Sequence, residues 1–303
     1  MSIATIEYAG HEAISIEAGT ISAVVTTSVG PRILGLLRPD GRNALAELPE
    51  ATLPCPGSGP FRLRGGHRLW AAPEIPRVTY RPDDDAVEVE ELADGVLLTT
   101  IPDPVAGTQR QLGVRAIGDG RLAVDHRVVN VADRPQRLAP WAITMMAAGG
   151  RAWLPLLQRP FDEGGFQAQR NIVLWPYARL SDPRLSLGDA LIEIRTDRPD
   201  LLAIESPVKA GTSGRRGWVA HWRDGLLLVK RTVHDEAATY ADMGASAQAY
   251  ANDTNTELET LGPLVDLAPG EAAEHREIWE VHLVDEAEAE RLVSGDALDE
   301  AAT

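Results

Sequence analysis

Cysteine is nearly absent, with Cys55 the single one in 303 residues. One thiol excludes a disulfide framework and a cysteine-based metal centre. It lies between Pro54 and Pro56 with no base supplied by a motif, so it is a poor nucleophile candidate. Lysine is almost as scarce: of the 29 basic residues only Lys209 and Lys230 are lysines. No apolar run approaches the roughly 18 residues of a membrane helix. The N-terminus MSIATIEYAGHEA has neither a basic start nor an apolar signal core. The expectation is a soluble, cytoplasmic chain with no membrane partner. Positive charge is short overall. A net charge of −16 leaves no basic face for a phosphate backbone, which excludes nucleic acid as a partner.

The acidic excess is concentrated. Asp285–Thr303 holds seven acids and one Arg, and Pro82–Asp94 holds seven acids and no base. Runs of this kind are solvated faces or mobile ends.

Most of the chain alternates in hydrophobicity or is rich in β-branched residues, as in Ile21–Thr27, Leu122–Asn130, Arg137–Ala147 and His275–Val284. Turn signals separate these segments: SVGP at 28, PDGRN at 39, GDG at 118, RDG at 223 and APGE at 268. About sixteen strands with hardly any 3.6-residue period predict an all-β sandwich or barrel. An open sheet of that size is unusual, so two large stacked, mostly antiparallel sheets are expected. No linker divides them. Residues 1–284 are expected to form one domain, followed by a short acidic helix and tail over 285–303 whose last residues fray. Pro49–Pro60, with four prolines, reads as a loop insertion.

Two stretches could carry chemistry. Gly65–Glu74, GGHRLWAAPE, combines a Gly-Gly pair, an imidazole, a guanidinium, an indole and a carboxylate without a period of 2 or 3.6. It reads either as a binding loop built on His67, Arg68, Trp70 and Glu74 or as a structural corner. Glu257–Glu280 starts with an alternation that puts Glu257 and Glu259 on one face of a strand and Leu258 on the other. Glu257 suits a solvated edge, while Glu259, nearer the Gly262-Pro263 turn, could line a cleft.

Four segments occur here in an order and spacing similar to those of the galactose mutarotase-like, aldose 1-epimerase-related proteins, a bacterial branch in particular. They are VGPRILGL at 29, GGHRLWAAPE at 65, HRVVNVADRP at 126 and ELETLGPLVDLAPGE at 257. The resemblance covers nearly the whole chain, and the late segment is its most specific part. It implies a β-supersandwich with a carbohydrate cleft across one sheet, and it puts Glu259 at the position of the family's general-base Glu. It also implies sugar mutarotation, an isomerase reaction in which a base removes the anomeric hydroxyl proton while an acid protonates the ring oxygen. No metal or organic cofactor is needed. The strand expected to carry the family's acid histidine, PWAITMMAAGG at 140, has neither His nor Asn, which leaves His67 as the acid candidate. Trp70 could stack on a pyranose, and Arg68 and Lys209 could bind hydroxyls or a carboxylate.

The expected partner is a small carbohydrate, bound by a monomer or homodimer; the alternative is a carbohydrate-binding protein without turnover. A third reading is a structural sandwich that associates through its acidic surface. His234 and Asp242 are further site candidates, as is Trp175 beside Pro176 and Tyr177. The other tryptophans, Trp141 included, read as core. His126 and His221 read as satisfied or packed strand residues. No H-E-x-x-H or similar metal spacing occurs.

Overall fold

A computed structural model describes residues 2–158, 160, 162–295 and 298. The strands of the first half are β1 (Ile3–Tyr8), β2 (His11–Ala18), β3 (Ile21–Thr26), β4 (Arg32–Leu37), β5 (Glu47–Leu53), β6 (Phe61–Ala72), β7 (Glu88–Leu92), β8 (Gly95–Thr99), β9 (Thr108–Gly118), β10 (Arg121–Asn130), β11 (Gln136–Ala147) and β12 (Arg151–Pro155). Those of the second half are β13 (Ile172–Leu174), β14 (Leu185–Leu187), β15 (Leu191–Arg195), β16 (Val208–Thr212), β17 (Trp218–Arg223), β18 (Leu226–Arg231), β19 (Ala247–Ala251), β20 (Asn255–Leu261), β21 (Val265–Leu267) and β22 (Ala272–Leu283). Helices are short: α1 (Pro76–Thr79), α2 (Pro199–Leu202), α3 (Ala241–Gly244) and α4 (Glu286–Ser294). None is long and apolar enough to cross a membrane among the described residues.

The strands form two antiparallel sheets. The larger runs β1-β2-β3-β4-β6-β11-β20-β19-β16-β13, with β5 on β6 and β21 on β11; the other runs β14-β15-β12-β17-β18-β22-β10-β9-β8-β7. This is the all-β sandwich that the alternation predicts. Period-2 segments place Ile16, Val25, Ile33 and Leu36 of the larger sheet against Val96, Leu112, Leu122, Leu228 and Trp279 of the other. Burying one such aliphatic side chain contributes roughly 1.5–3 kcal/mol.

The two outer faces differ. On the smaller sheet, α4 lays Ala289 and Val293 onto Trp153, Trp218, Leu227 and Val229. Asp285 caps this helix by accepting from the Glu288 N–H at 2.9 Å, and Arg151 pairs with Glu286 and Glu290 on it. The tail at 299–303 lies outside the described residues. The outer face of the larger sheet carries aromatic and charged side chains instead.

Two expectations are corrected. Gly65–Ala72 is not a loop but the second half of β6. Its alternation is lost because Gly65 and Gly66 both take positive φ, 88° and 68°. A Cβ at Gly66 would sit 2.2 Å from the Ile33 carbonyl oxygen, and one at Gly65 1.9 Å from that of Ala46. The two glycines let β6 change partners, from β5 at Gly65 to β4 at His67. Within Pro49–Pro60, residues up to Leu53 belong to β5 rather than to a loop.

Candidate functional site

Strand register assembles the outer face of the larger sheet in rows. One row reads Arg68, Ile143, Glu259, Gln248, Gly211 across β6, β11, β20, β19 and β16. The next reads Gly66, Met145, Glu257, Tyr250, Lys209. Trp70 and Trp141 are paired one row to the other side. Side chains two apart on a strand share a face, so this register turns its outward side chains toward one area.

Glu259 is at its centre and fully buried. Its Oε2 accepts from Lys209 Nζ and from Trp141 Nε1, each at 2.8 Å. Its Oε1 has no hydrogen-bond partner. Burial pushes the Glu259 pKa up, the Lys209 ammonium pulls it back, and Glu257 adds to the rise. Arg68 donates to Glu257 Oε1 at 3.2 Å and lies 4.2 Å from the centroid of the Trp70 ring. Its Nε and Nη1 are unpartnered, as are Trp70 Nε1 and Gln248 Oε1. Glu257 is therefore no solvated edge residue; its side chain is only 13% exposed and holds Arg68.

Two loops stand over this floor. After β13, Trp175 places its ring 4.4 Å from Lys209 Nζ. In the same loop, the Tyr177 phenol has its pKa raised first by burial and then by Glu259, Tyr250, Glu74 and Glu257. On the other side, the turn through α1 brings Tyr80 against Trp70, with ring centroids 5.0 Å apart, and Tyr80 donates to Glu74. Asp242 reaches the floor through Gln248, whose Nε2 donates to its Oδ2 at 2.8 Å. His234 lies in a separate cavity, stacked on Tyr240 at 4.7 Å. The structure thus brings Arg68, Trp70, Lys209, Trp175 and Glu259 to one face, with Glu74 at the rim and Asp242 joined through one side chain.

His67 does not belong to this group. It is next to Arg68 on β6, so its ring points the opposite way, into the space between the sheets, and it has no solvent exposure. There it joins a closed polar network whose proton positions follow from the donors. Lys230 Nζ donates to Thr144 Oγ1 at 2.9 Å, the Leu258 carbonyl at 3.0 Å and Glu277 Oε1 at 2.8 Å, which uses all three of its protons. Thr144, accepting from Lys230, donates to His67 Nδ1 at 2.9 Å. His67 then carries its proton on Nε2 and donates it to His126 Nε2 at 2.8 Å. His126 in turn donates from Nδ1 to the His275 carbonyl at 3.0 Å. His275 Nε2 donates to Thr260 Oγ1 at 2.7 Å, and Thr260 donates to Glu277. All three histidines are neutral, and burial holds each pKa below the usual histidine value.

The ligand atoms of His67, His126 and Glu277 lie within 4.8 Å of one another, a spacing that a metal ion could use. The donor set argues otherwise. The two Nε2 atoms are closer than the roughly 3.4 Å that bonds of about 2.1 Å in tetrahedral geometry require. Glu277 is already held by Lys230, Thr260 and, through its Oε2, by Trp279 Nε1 at 2.7 Å. The Lys230 ammonium stands where a cation would bring its charge.

Sequence reasoning missed Trp141, Gln248, Tyr250, Tyr177 and Tyr80. Trp141 reads as core because its strand, PWAITMMA, is apolar on both faces; only the register with β20 shows its indole N–H meeting Glu259. The Pro176-Tyr177 pair beside Trp175 carried the one usable signal.

No protein-family model matches the chain, and no curated protein sequence does. Solved structures do. A galactose mutarotase-like protein from Lactobacillus casei superposes with a TM-score of 0.57 at 12% identity, covering 89% of this chain and 100% of that one. Slr1438 from Synechocystis superposes at 0.53 with 10% identity, over 93% and 99%. A candidate aldose 1-epimerase from Escherichia coli K12 gives 0.50 with 11% identity, over 89% and 98%. Identities this low speak for architecture, and the architecture of this chain is the galactose mutarotase-like fold.

Proposed function

We propose that the chain binds a carbohydrate across the outer face of its larger sheet and that Glu259 accepts a proton from a bound hydroxyl. One observation carries this reading: the buried polar side chains of that face keep unpartnered atoms, namely Glu259 Oε1, Arg68 Nε and Nη1, Trp70 Nε1 and Gln248 Oε1. Each unmet group in a buried position costs about 1–3 kcal/mol. A ligand rich in hydroxyls offers both the donors and the acceptors that such atoms lack. The aromatic rings of Trp175 and Tyr177, neither of them fully buried, supply surfaces for the apolar faces of a pyranose. The L. casei protein and the other mutarotase-like neighbours make an aldose the natural first ligand class to try.

The chemistry that fits is ring opening and closure at the anomeric carbon. Glu259 takes the anomeric O–H proton, the freed electron pair forms the C1=O bond, and the C1–ring-oxygen bond breaks as that oxygen gains a proton. Burial favours the protonated carboxyl and so strengthens Glu259 as a base. With His67 sealed between the sheets, the nearest proton donor is the Lys209 ammonium, 2.8 Å from Glu259 Oε2. Reclosure from either carbonyl face returns both protons. Binding without turnover is the second reading. It is favoured by the closed Lys209–Glu259 pair and by the lack of any histidine bonded to Glu259 among the described residues.

Two-dimensional exchange NMR on a panel of aldoses, uronic acids and sugar phosphates separates the two. Turnover predicts anomer exchange above the buffer rate, falling by about 10²–10⁴-fold to that rate in Glu259→Gln. Binding alone predicts sugar-dependent melting shifts with exchange unchanged. A panel in which no sugar alters either quantity refutes the proposal.

A further inference from the structure

A cavity of about 690 Å³, within the range of small-molecule sites, has a lining that includes Asn171, Ser213, Arg215, His234, Tyr240 and Met243. Two elements tie it to the Glu259 row. The first is β13, paired with β16 so that Ile172 faces Thr212 and Leu174 faces Ala210. Asn171 therefore stands at the cavity end of this strand and Trp175, over Lys209, at the other. Four extended residues span about 13 Å, close to the length of two linked pyranose rings.

The second is the turn Tyr240–Gly244. Asp242 and Met243 both have left-handed φ, 52° and 57°. That conformation costs a residue with a side chain roughly 1–2 kcal/mol, and such outliers concentrate at binding sites. Its effect is to divide the turn between two places. Asp242 turns inward to Gln248 of the Glu259 row, while Tyr240 and Met243 line the cavity, Met243 being 87% exposed.

The cavity's own chemistry matches a neutral, hydroxylated ring. The half-buried His234 imidazole rests on buried Tyr240 with an interplanar angle of 17°, which makes a flat platform. Burial holds His234 below its usual pKa, so the platform is uncharged at neutral pH. Asn171 Oδ1 is buried and unpartnered, an acceptor awaiting a donor such as a hydroxyl. Arg215 is paired with Glu236 at 2.9 Å, and the exposed Arg170 donates to the Leu157 carbonyl.

We infer that this cavity is a second saccharide subsite, so that the ligand is a disaccharide or longer chain with one ring on the Glu259 row and the next between His234 and Asn171. The inference rests on the carbohydrate reading of the Glu259 row. Its test is a glycan array of mono-, di- and trisaccharides of the common aldoses, followed by calorimetry of the best disaccharide and its component monosaccharide on the full chain. Wild type is expected to bind the disaccharide at least tenfold more tightly. His234→Ala and, independently, Asn171→Ala are expected to remove that advantage and leave monosaccharide affinity unchanged. Equal affinities in wild type, or variants that weaken both ligands alike, overturn the second subsite while leaving the first intact. A preference for a phosphorylated monosaccharide that weakens steeply with salt also overturns it, since Arg170 would then set the ligand. No saccharide binding at all overturns both readings together.

Discussion

Replacing Lys230 by Met removes the one cation found in the inter-sheet network among the described residues while keeping the side chain's approximate length. Lys230 is completely buried and makes three hydrogen bonds of 2.8–3.0 Å, to Glu277, Thr144 and the Leu258 carbonyl. The variant leaves Glu277 buried with only Thr260 and Trp279 as partners. Breaking a buried pair from one side costs about 3–5 kcal/mol. At about 2 °C per kcal/mol for a chain of this size, melting should fall by roughly 6–10 °C. The pH dependence provides a second signature. In the wild type, Lys230 holds the Glu277 pKa below its ordinary value against the rise that burial causes. Without Lys230, burial raises it. The folded variant therefore gains a proton as pH falls from 7 to 5.5, and its deficit relative to wild type shrinks. Adding Glu277→Gln should recover more than half of the loss at pH 7. Calorimetric scans at pH 7 and 5.5 measure all three quantities. A shift below about 2 °C, or a deficit independent of pH, would refute the network as drawn.

Four buried histidines, His67, His126, His221 and His275, have folded pKa values lowered by burial, the last two to about 3. The unfolded chain binds their protons below about pH 6.5 and the folded chain does not. Stability should therefore drop as pH falls from 6.5, by up to about 1.4 kcal/mol per pH unit for each, which denaturant titrations at pH 7 and 5.5 would show. Gly66→Ala places a methyl 2.2 Å from the Ile33 carbonyl oxygen at a φ of 68°, and should lower stability by more than about 2 kcal/mol in the same assay. Trp175 is only half buried, so Trp175→Ala should leave melting nearly unchanged. If its ring covers a sugar, affinity should weaken about 2–10-fold by calorimetry.

The sandwich was legible because its strands alternate and its breaks carry Gly, Pro, Asn and Asp. The pairing of Glu257 with Glu259 on one face was legible for the same reason, and so was the placement of Leu258 on the other. The same rule, applied to His67 and Arg68, would have put adjacent residues of a strand on opposite faces. The Gly65-Gly66 pair hid that strand by breaking its period, and the stretch read as a loop offering all its side chains to one ligand. Cross-strand partners are a different matter. Lys209 is fifty positions from Glu259 and Trp141 a further sixty-eight from Lys209, and only the strand order β11-β20-β19-β16 brings them together. Period-2 patterns fix which way a side chain points and say nothing of which strand lies alongside. The polar network around Lys230 escaped for that reason too, since its members come from both sheets.

The most direct test of the account is a crystal structure of the chain grown or soaked with the tightest saccharide from the panel. A ring lying over the Arg68–Glu259–Gln248 row, with a hydroxyl about 2.6–3.2 Å from Glu259 Oε1, is the predicted result. A saccharide seated elsewhere, with that oxygen still unpartnered, would contradict it.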